Sequence, residues 1–234
     1  MPRKRKKNIS DQSITILLVV DGSGSMKPIQ DDVVGGINGF IEEQKKDGKD
    51  NTVLSLVVFD TRVVPVHNVV PINIVPPVTK QDTFLGGATA LLDAVGITIT
   101  QAQQRKLSGK KLLVIYTDGF ENSSVEWTKD KIKDLLTEIQ KEDWTVVFMA
   151  ADVNAFAEAR SMGVFAGNYV DVSKDSTVGN FTALSASATS YRIADTNRTQ
   201  TFVHDTSLKD HIDAFTPDST KKKKDKNLWT PDVL

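Results

Sequence analysis

The sequence predicts an α/β protein: a doubly wound, mostly parallel six-stranded sheet flanked by helices, with one antiparallel edge strand. Three observations predict it. Residues 14–20, ITILLVV, are apolar on both faces, as suits a central parallel strand covered by helices on each side. The chain then alternates periods in the order strand, helix, hairpin, helix, strand, helix, strand, helix, strand, helix. Two of the apolar runs, 14–20 and 111–116, each lead to an aspartate, Asp21 and Asp118. In doubly wound folds ligands gather beyond the carboxyl ends of the strands, where strand order reverses.

Taken in order, residues 1–13 are basic and polar around Arg3-Lys4-Arg5-Lys6-Lys7. Like-charge blocks are usually solvated, so a disordered solubilising tail is expected, with an anchor for acidic partners or a nuclear address as the functional alternatives. After the first strand, Gly22 and Gly24 let the chain turn tightly at Asp21, while Ser23 and Ser25 place two hydroxyls near it. Val33, Ile37, Phe40, Ile41 and Gln44 share one helical face, giving a helix over 29–46 and a loop over 47–50. Gly35, Gly36 and Gly39 weaken that helix, or allow close packing on the sheet.

Residues 52–59, TVLSLVVF, form the next strand, and the Asp60-Thr61 turn leads to a weaker strand over 62–70. So short a turn makes the pair antiparallel, and Pro65 cannot donate to a ladder, which places that strand at an edge. Residues 71–82 carry three prolines and read as an irregular connector. Thr89, after Gly86-Gly87, opens a helix whose face is Leu91, Val95, Ile99 and Ala102. The strand 111–116 follows, then a helix capped by Thr128 with Ile132, Leu135, Leu136 and Ile139 inward. A strand over 144–150, a short helix capped by Asn154 and ending at Gly163, a strand over 168–172 and a helix marked by Phe181, Leu184, Ala188 and Tyr191 complete a domain over 14–196.

Residues 197–218 read as a C-terminal extension. Residues 219–234 form a Lys-rich tail with an apolar end, where Leu228 and Trp229 are candidate partner-binding residues. They either dock on another molecule or fold back on their own domain.

Composition limits the chemistry. The chain has 234 residues, a net charge of −1 and no cysteine. Disulfides, zinc–thiolate sites and thiol catalysis are excluded. The charge gives no global reason to bind nucleic acid. The N-terminus lacks a secretory h-region, and no apolar run approaches the ~20 residues of a membrane span. A cytoplasmic protein without a membrane partner is expected.

Asp21, Ser23, Ser25, Thr89 and Asp118 are the candidate metal ligands. If their strands are neighbours, five oxygen-bearing side chains converge from three loops. Oxygen without sulfur or imidazole suits a hard divalent cation. Mg²⁺ fits best, Mn²⁺ would fit too, and Ca²⁺ fits less well. With few carboxylates in contact, the cation would seek one more anionic oxygen, which a partner protein's Asp or Glu can supply.

Asp21-Gly22-Ser23-Gly24-Ser25, Thr89 within GGATALLDA and Asp118 within YTDG, in that order, resemble the von Willebrand factor A domain and its metal-ion-dependent adhesion site. GGATALLDAVG and TDGFENSS look like stand-alone bacterial and phage-type members. The resemblance covers about residues 14–192. It implies the sheet order 3-2-1-4-5-6, metal-site roles for those five residues, and a protein-binding module that is not an enzyme. It also implies an adaptor role, including in assemblies driven by AAA-type ATPases. Two other function classes compete with it. A metal-assisted phosphatase or phosphotransferase of the aspartyl-nucleophile kind needs a second Asp where Ser23 stands. A scaffold binding nucleic acid through the basic tails would show steep salt dependence.

Overall fold

In the computed structural model, residues 13–48, 51–107, 109–150, 153–165, 168–171 and 177–193 are described. The basic N-terminal tail, the 197–218 extension, the Lys-rich tail with Leu228 and Trp229, and two of the histidines, His204 and His211, lie outside them.

The first strand, β1 (Ile14–Asp21), is buried along its whole length. Its alternate side chains serve two cores. Ile14, Ile16, Leu18 and Val20 join the cluster containing α1 (Gln30–Gly48) and α6 (Thr177–Ile193). Leu17 and Val19 join the cluster of α3 (Leu91–Gln104), α4 (Lys129–Ile139) and α5 (Val153–Ser161). This two-sided burial is why the run has no polar face. Each large aliphatic side chain so buried contributes about 1.5–3 kcal/mol before the cost of ordering it.

The other strands are β2 (Thr52–Phe59), β3 (Val63–Pro71), β4 (Lys110–Thr117), β5 (Trp144–Ala150) and β6 (Tyr169–Asp171). Their order is β3-β2-β1-β4-β5-β6. Among the described strands only β2 and β3 pair antiparallel, and β3 lies at an edge, as Pro65 requires. A register shift in this pair accompanies Val69, whose φ of 54° is rare for a β-branched residue. The Ser55 hydroxyl holds that position by accepting the Val69 N–H at 2.9 Å.

Several boundaries differ from the expected ones. Residues 24–29 form a 3₁₀ turn, and α1 begins only at Gln30, then runs through the expected 47–50 loop as far as Gly48. Gly36 packs against α6 rather than the sheet: a Cβ there would lie 2.3 Å from the Phe181 ring. Among the described residues no neighbour lies within 4 Å of a Cβ built at Gly35 or Gly39. Gln44 is buried on the same face of α1. It donates to the Ser185 hydroxyl at 2.9 Å and accepts from the Arg192 guanidinium, giving the α1–α6 contact a polar seam.

The proline-rich connector hides a 3₁₀ turn over Ile72–Ile74 and a one-turn helix, α2 (Lys80–Thr83). The Asp82 carboxylate accepts the Thr79 N–H at 2.8 Å, a capping box that starts the turn. Helix α3 starts at Leu91 with Ala90 as its cap, so Thr89 sits just outside it. It ends before Lys106, whose φ of 50° turns the chain left-handed. Asn154 lies inside α5, which starts at Val153.

Candidate metal centre

Strand order places the site. The parallel strands β1 and β4 are neighbours, with Val20 opposite Tyr116. Asp21 and Thr117 therefore end side by side, and Asp118 begins the next loop. The connections from β1 and β4 leave to opposite faces of the sheet, which opens a crevice between them.

Around that crevice the loops are tied by backbone hydrogen bonds. The Gly22 N–H donates to the Phe59 carbonyl at 2.7 Å, and the Gly22 carbonyl accepts from Leu85 and Gly86, each at 2.9 Å. The Gly24 N–H donates to the Gly87 carbonyl at 3.0 Å. Gly22 has to be glycine, since a Cβ would lie 2.7 Å from Val58 Cγ1 and 2.9 Å from the Thr83 carbonyl.

All five expected side chains meet here. Asp21 is fully buried. Its Oδ1 accepts the Ser23 N–H at 2.8 Å, and its Oδ2 accepts the Thr117 hydroxyl at 2.6 Å. The Ser23 and Ser25 hydroxyls lie 3.1 Å apart, and Ser25 donates to Asp118 Oδ1 at 2.6 Å. Gly119 faces the remaining members. A Cβ built on it would stand 3.3 Å from Thr89 Oγ1 and 3.7 Å from both Asp21 Oδ2 and Ser25 Oγ. The side chains of three loops thus converge on one small space that the absent side chain leaves open.

The electrostatics suit a cation. Burial pushes the Asp21 carboxyl above its ordinary range. The Thr117 and Ser23 hydrogen bonds pull it down, Asp118 adds to the rise, and the net shift is upward. A divalent ion would offset that cost. The set has two carboxylates and three hydroxyls; among the described residues no three His, Cys, Asp or Glu side chains cluster as a metal group. Compact neutral hydroxyls and few charges fit Mg²⁺ or Mn²⁺. Each hydroxyl retains lone pairs while it donates, so it can turn its hydrogen to a carboxylate and its oxygen to a cation.

Several site residues carry no signal in the five-residue pattern. Thr117 holds Asp21. Asn122 holds Thr89 on both sides, its Oδ1 accepting the Thr89 N–H at 2.8 Å and its N–H donating to the Thr89 carbonyl at 3.0 Å. Asp60, buried at the end of β2, accepts the Gly87 N–H at 3.1 Å and takes two guanidinium N–H groups of Arg62 at 3.2 and 2.9 Å. Burial raises the Asp60 carboxyl, but Arg62 and Gly87 together bring it below its ordinary value. Glu121 and Asp93 fold the loop after β4. Glu121 accepts from Ser123, Ser124 and Leu92 N–H groups at 2.9, 2.7 and 2.9 Å. Asp93 accepts from Val125, Glu126 and Trp127 N–H groups at 2.8, 3.0 and 2.8 Å.

The family profile of the von Willebrand factor type A domain matches residues 15–205. The chain belongs to that family. Solved structures agree on the fold at low identity. Proximal thread matrix protein 1 from the mussel byssus is 17% identical with a TM-score of 0.58, over 76% of this chain and 47% of that one. The pilus adhesin SpaC of Lactobacillus rhamnosus GG is 14% identical with a TM-score of 0.63, over 76% of this chain and 30% of that one. The manganese-loaded TRAP protein of Plasmodium vivax is 14% identical with a TM-score of 0.54, over 72% of each chain. The mussel protein has also been solved with zinc in its metal-ion-dependent adhesion site motif. The chain thus spans about half of the mussel protein and under a third of the adhesin. No curated protein matches the sequence significantly.

Proposed function

We propose that this von Willebrand factor type A domain is a divalent-cation-dependent protein-binding module. Asp21, Ser23, Ser25, Thr89 and Asp118 hold the cation, directly or through water, and a partner's Asp or Glu completes its shell. Mg²⁺ is the working ion and Mn²⁺ substitutes for it. The observation that carries this reading is the convergence of those five oxygen-bearing side chains on the space facing Gly119. The bound cation supplies a Lewis-acidic position for a carboxylate; the chain's own groups fix the loops and balance the charge. The domain acts as a cytoplasmic adaptor, with AAA-type ATPase assemblies as the analogous setting.

The enzymatic alternative finds less support. The position two residues after Asp21 is Ser23, where an aspartyl-phosphate mechanism needs its acid. His67, the one histidine among the described residues, lines a separate cleft with Thr98 and Arg105 between β3 and α3. No imidazole base therefore faces the crevice among the described residues.

The test is calorimetric titration of Mg²⁺ into wild type, Ser23→Ala and Gly119→Ala, alongside phosphate-ester turnover. Both substitutions should weaken Mg²⁺ on the order of tenfold or more, as loss of a metal-site group does. Gly119→Ala acts by filling the space. Unchanged Mg²⁺ affinity in both variants would overturn the site. Turnover that Asp21→Ala abolishes would overturn the binding reading.

A further inference from the structure

The cleft between β3 and α3 takes no part in the metal site. Its space is about 330 Å³, part of it open to solvent. Thr98, Gln101, Ala102 and Arg105 line it from α3 and its C-cap, at the i, i+3, i+4, i+7 spacing of one helical face. Leu17 and Val57 add apolar wall from the sheet, and His67 and Val69 line it from β3.

Two buried polar side chains of this lining lack partners. His67 is 8% exposed and Thr98 is 4% exposed. His67 Nε2 and Thr98 Oγ1 have no hydrogen-bond partner among the described residues. A buried polar atom left so costs about 1–3 kcal/mol unless something else satisfies it. A helical threonine can donate to its own helix, as Thr100 does to the Gly96 carbonyl at 2.8 Å. Thr98 makes no such bond and lines the cleft instead. Val69, beside them in the lining, has a φ of 54°. Backbone in that region persists only where its surroundings hold it, and it gathers at binding sites. Here the Ser55 hydroxyl holds it, accepting the Val69 N–H at 2.9 Å.

Charge selects the occupant. No acidic side chain is among the lining residues. Asp82 lies within electrostatic reach of His67 but outside the lining. Arg105 is exposed, and its guanidinium has no ion-pair partner among the described residues. Thr98 and Arg105 stand seven residues apart, about 10 Å along a helix axis. Helical side chains lean towards the N-terminus, so Arg105 can reach back along that distance. A ligand between them needs an acid at one end and a hydrogen-bonding oxygen at the other. Leu17, Val57 and Ala102 suit a short carbon skeleton.

We propose that the β3–α3 cleft binds a small carboxylic acid bearing a hydroxyl or keto oxygen on its second carbon. The carboxylate pairs with Arg105, and the second oxygen bonds His67 Nε2 and Thr98 Oγ1 inside. This site is separate from the metal centre and needs no cation. The rival occupant is a buried water, which would satisfy His67 and Thr98 but give Arg105 no part.

Three probes test this on the full chain by chemical-shift titration at constant ionic strength: L-lactate, propionate, which lacks the hydroxyl, and lactamide, which lacks the charge. Divalent metal is left out, so the crevice offers the acids no cation. Lactate should move the His67 Nε2 resonance and the Thr98 and Val69 amides. It should bind about tenfold tighter than either analogue. In Thr98→Val, which keeps the side-chain shape, its advantage over propionate should fall below about threefold. Arg105→Gln should weaken lactate about fivefold and leave lactamide unchanged. Amide shifts outside the cleft report that each variant is folded; should Thr98→Val not be, the exposed Arg105→Gln carries the test. A His67 resonance untouched by lactate would make this a water site and overturn the proposal. Equal affinity for the three probes, or a wild-type preference in the folded variants, would overturn it too. None of these outcomes bears on Mg²⁺ binding, so the metal centre stands or falls separately.

Discussion

Asp93 and Glu121 stand at the same end of the sheet as Asp21 and Asp118, yet the two pairs are met by different donors. Asp93 and Glu121 each accept three backbone N–H groups, and Glu121 takes the Ser124 hydroxyl at 2.7 Å besides. Asp21 and Asp118 are met instead by the hydroxyls of Thr117 and Ser25, with one N–H from Ser23 on Asp21. An amide donor is fixed in direction and offers no lone pair. A hydroxyl rotates and keeps its oxygen available. Carboxylates that take three amides therefore build loops, while Asp21, with one amide and one hydroxyl, and Asp118, with the Ser25 hydroxyl, leave room for a cation.

The sharpest way to break this division is to remove an amide-bound carboxylate. Asp93→Ala should strip three N–H groups of their acceptor and destabilise the domain by about 3 kcal/mol with or without Mg²⁺. Denaturant unfolding reads it, and a loss that Mg²⁺ restores would place Asp93 with the metal pair. On the other side of the division, Thr89→Ala should leave metal-free unfolding near wild type and reduce Mg²⁺ affinity about tenfold, equivalent to 1.4 kcal/mol. Equal thermal stabilisation of wild type and variant by Mg²⁺ would refute that.

Asn122→Ala tests the link between the two sets. It should cost about 1 kcal/mol of stability by removing the acceptor of the Thr89 N–H. It should also weaken Mg²⁺ less than Thr89→Ala does, and a larger loss of metal in calorimetry would make Asn122 part of the cage.

The pH response of metal-free protein gives the smallest signal. Asp21 titrates above its ordinary value of 3.8 in the folded state. The folded chain therefore takes up that proton first, and wild type gains stability over Asp21→Asn as pH falls through the raised pKa towards 3.8. Asp60 and Asp82 are lowered, Asp60 by Arg62 and Gly87 against its burial, Asp82 chiefly by Thr79. Their contribution is present above 3.8 and is lost below it, as pH falls through their folded values. The melting temperature of wild type should rise relative to that of Asp21→Asn as pH falls towards 3.8; a relative fall over that range would reverse the assignment for Asp21.

Local spacing makes the frame legible, and the five oxygens are legible from their order along the chain and the family resemblance that order carries. The apolar run 14–20 can only be central, Pro65 can only sit at an edge, and the alternation of periods leaves few topologies. The sheet order came from family resemblance, and the β1–β4 pairing bears it out. The supporting residues were hidden because their partners are distant. Asp93 binds N–H groups more than thirty residues away, and no period in its helix announces that. The α2 turn was legible after all: Thr79 and Asp82 have the spacing of a capping box, which the prolines around them masked. Gly36 carried its packing signal, but only the fold reveals that the facing ring is Phe181.

Anomalous diffraction from crystals grown in Mn²⁺ decides whether these five side chains hold a cation. One manganese peak is expected in the crevice between β1 and β4, with hydroxyl oxygens of Ser23 and Ser25 bound to it and Gly119 facing it. A crevice without manganese, or a peak held by other side chains while these five remain bonded only to one another, would contradict it.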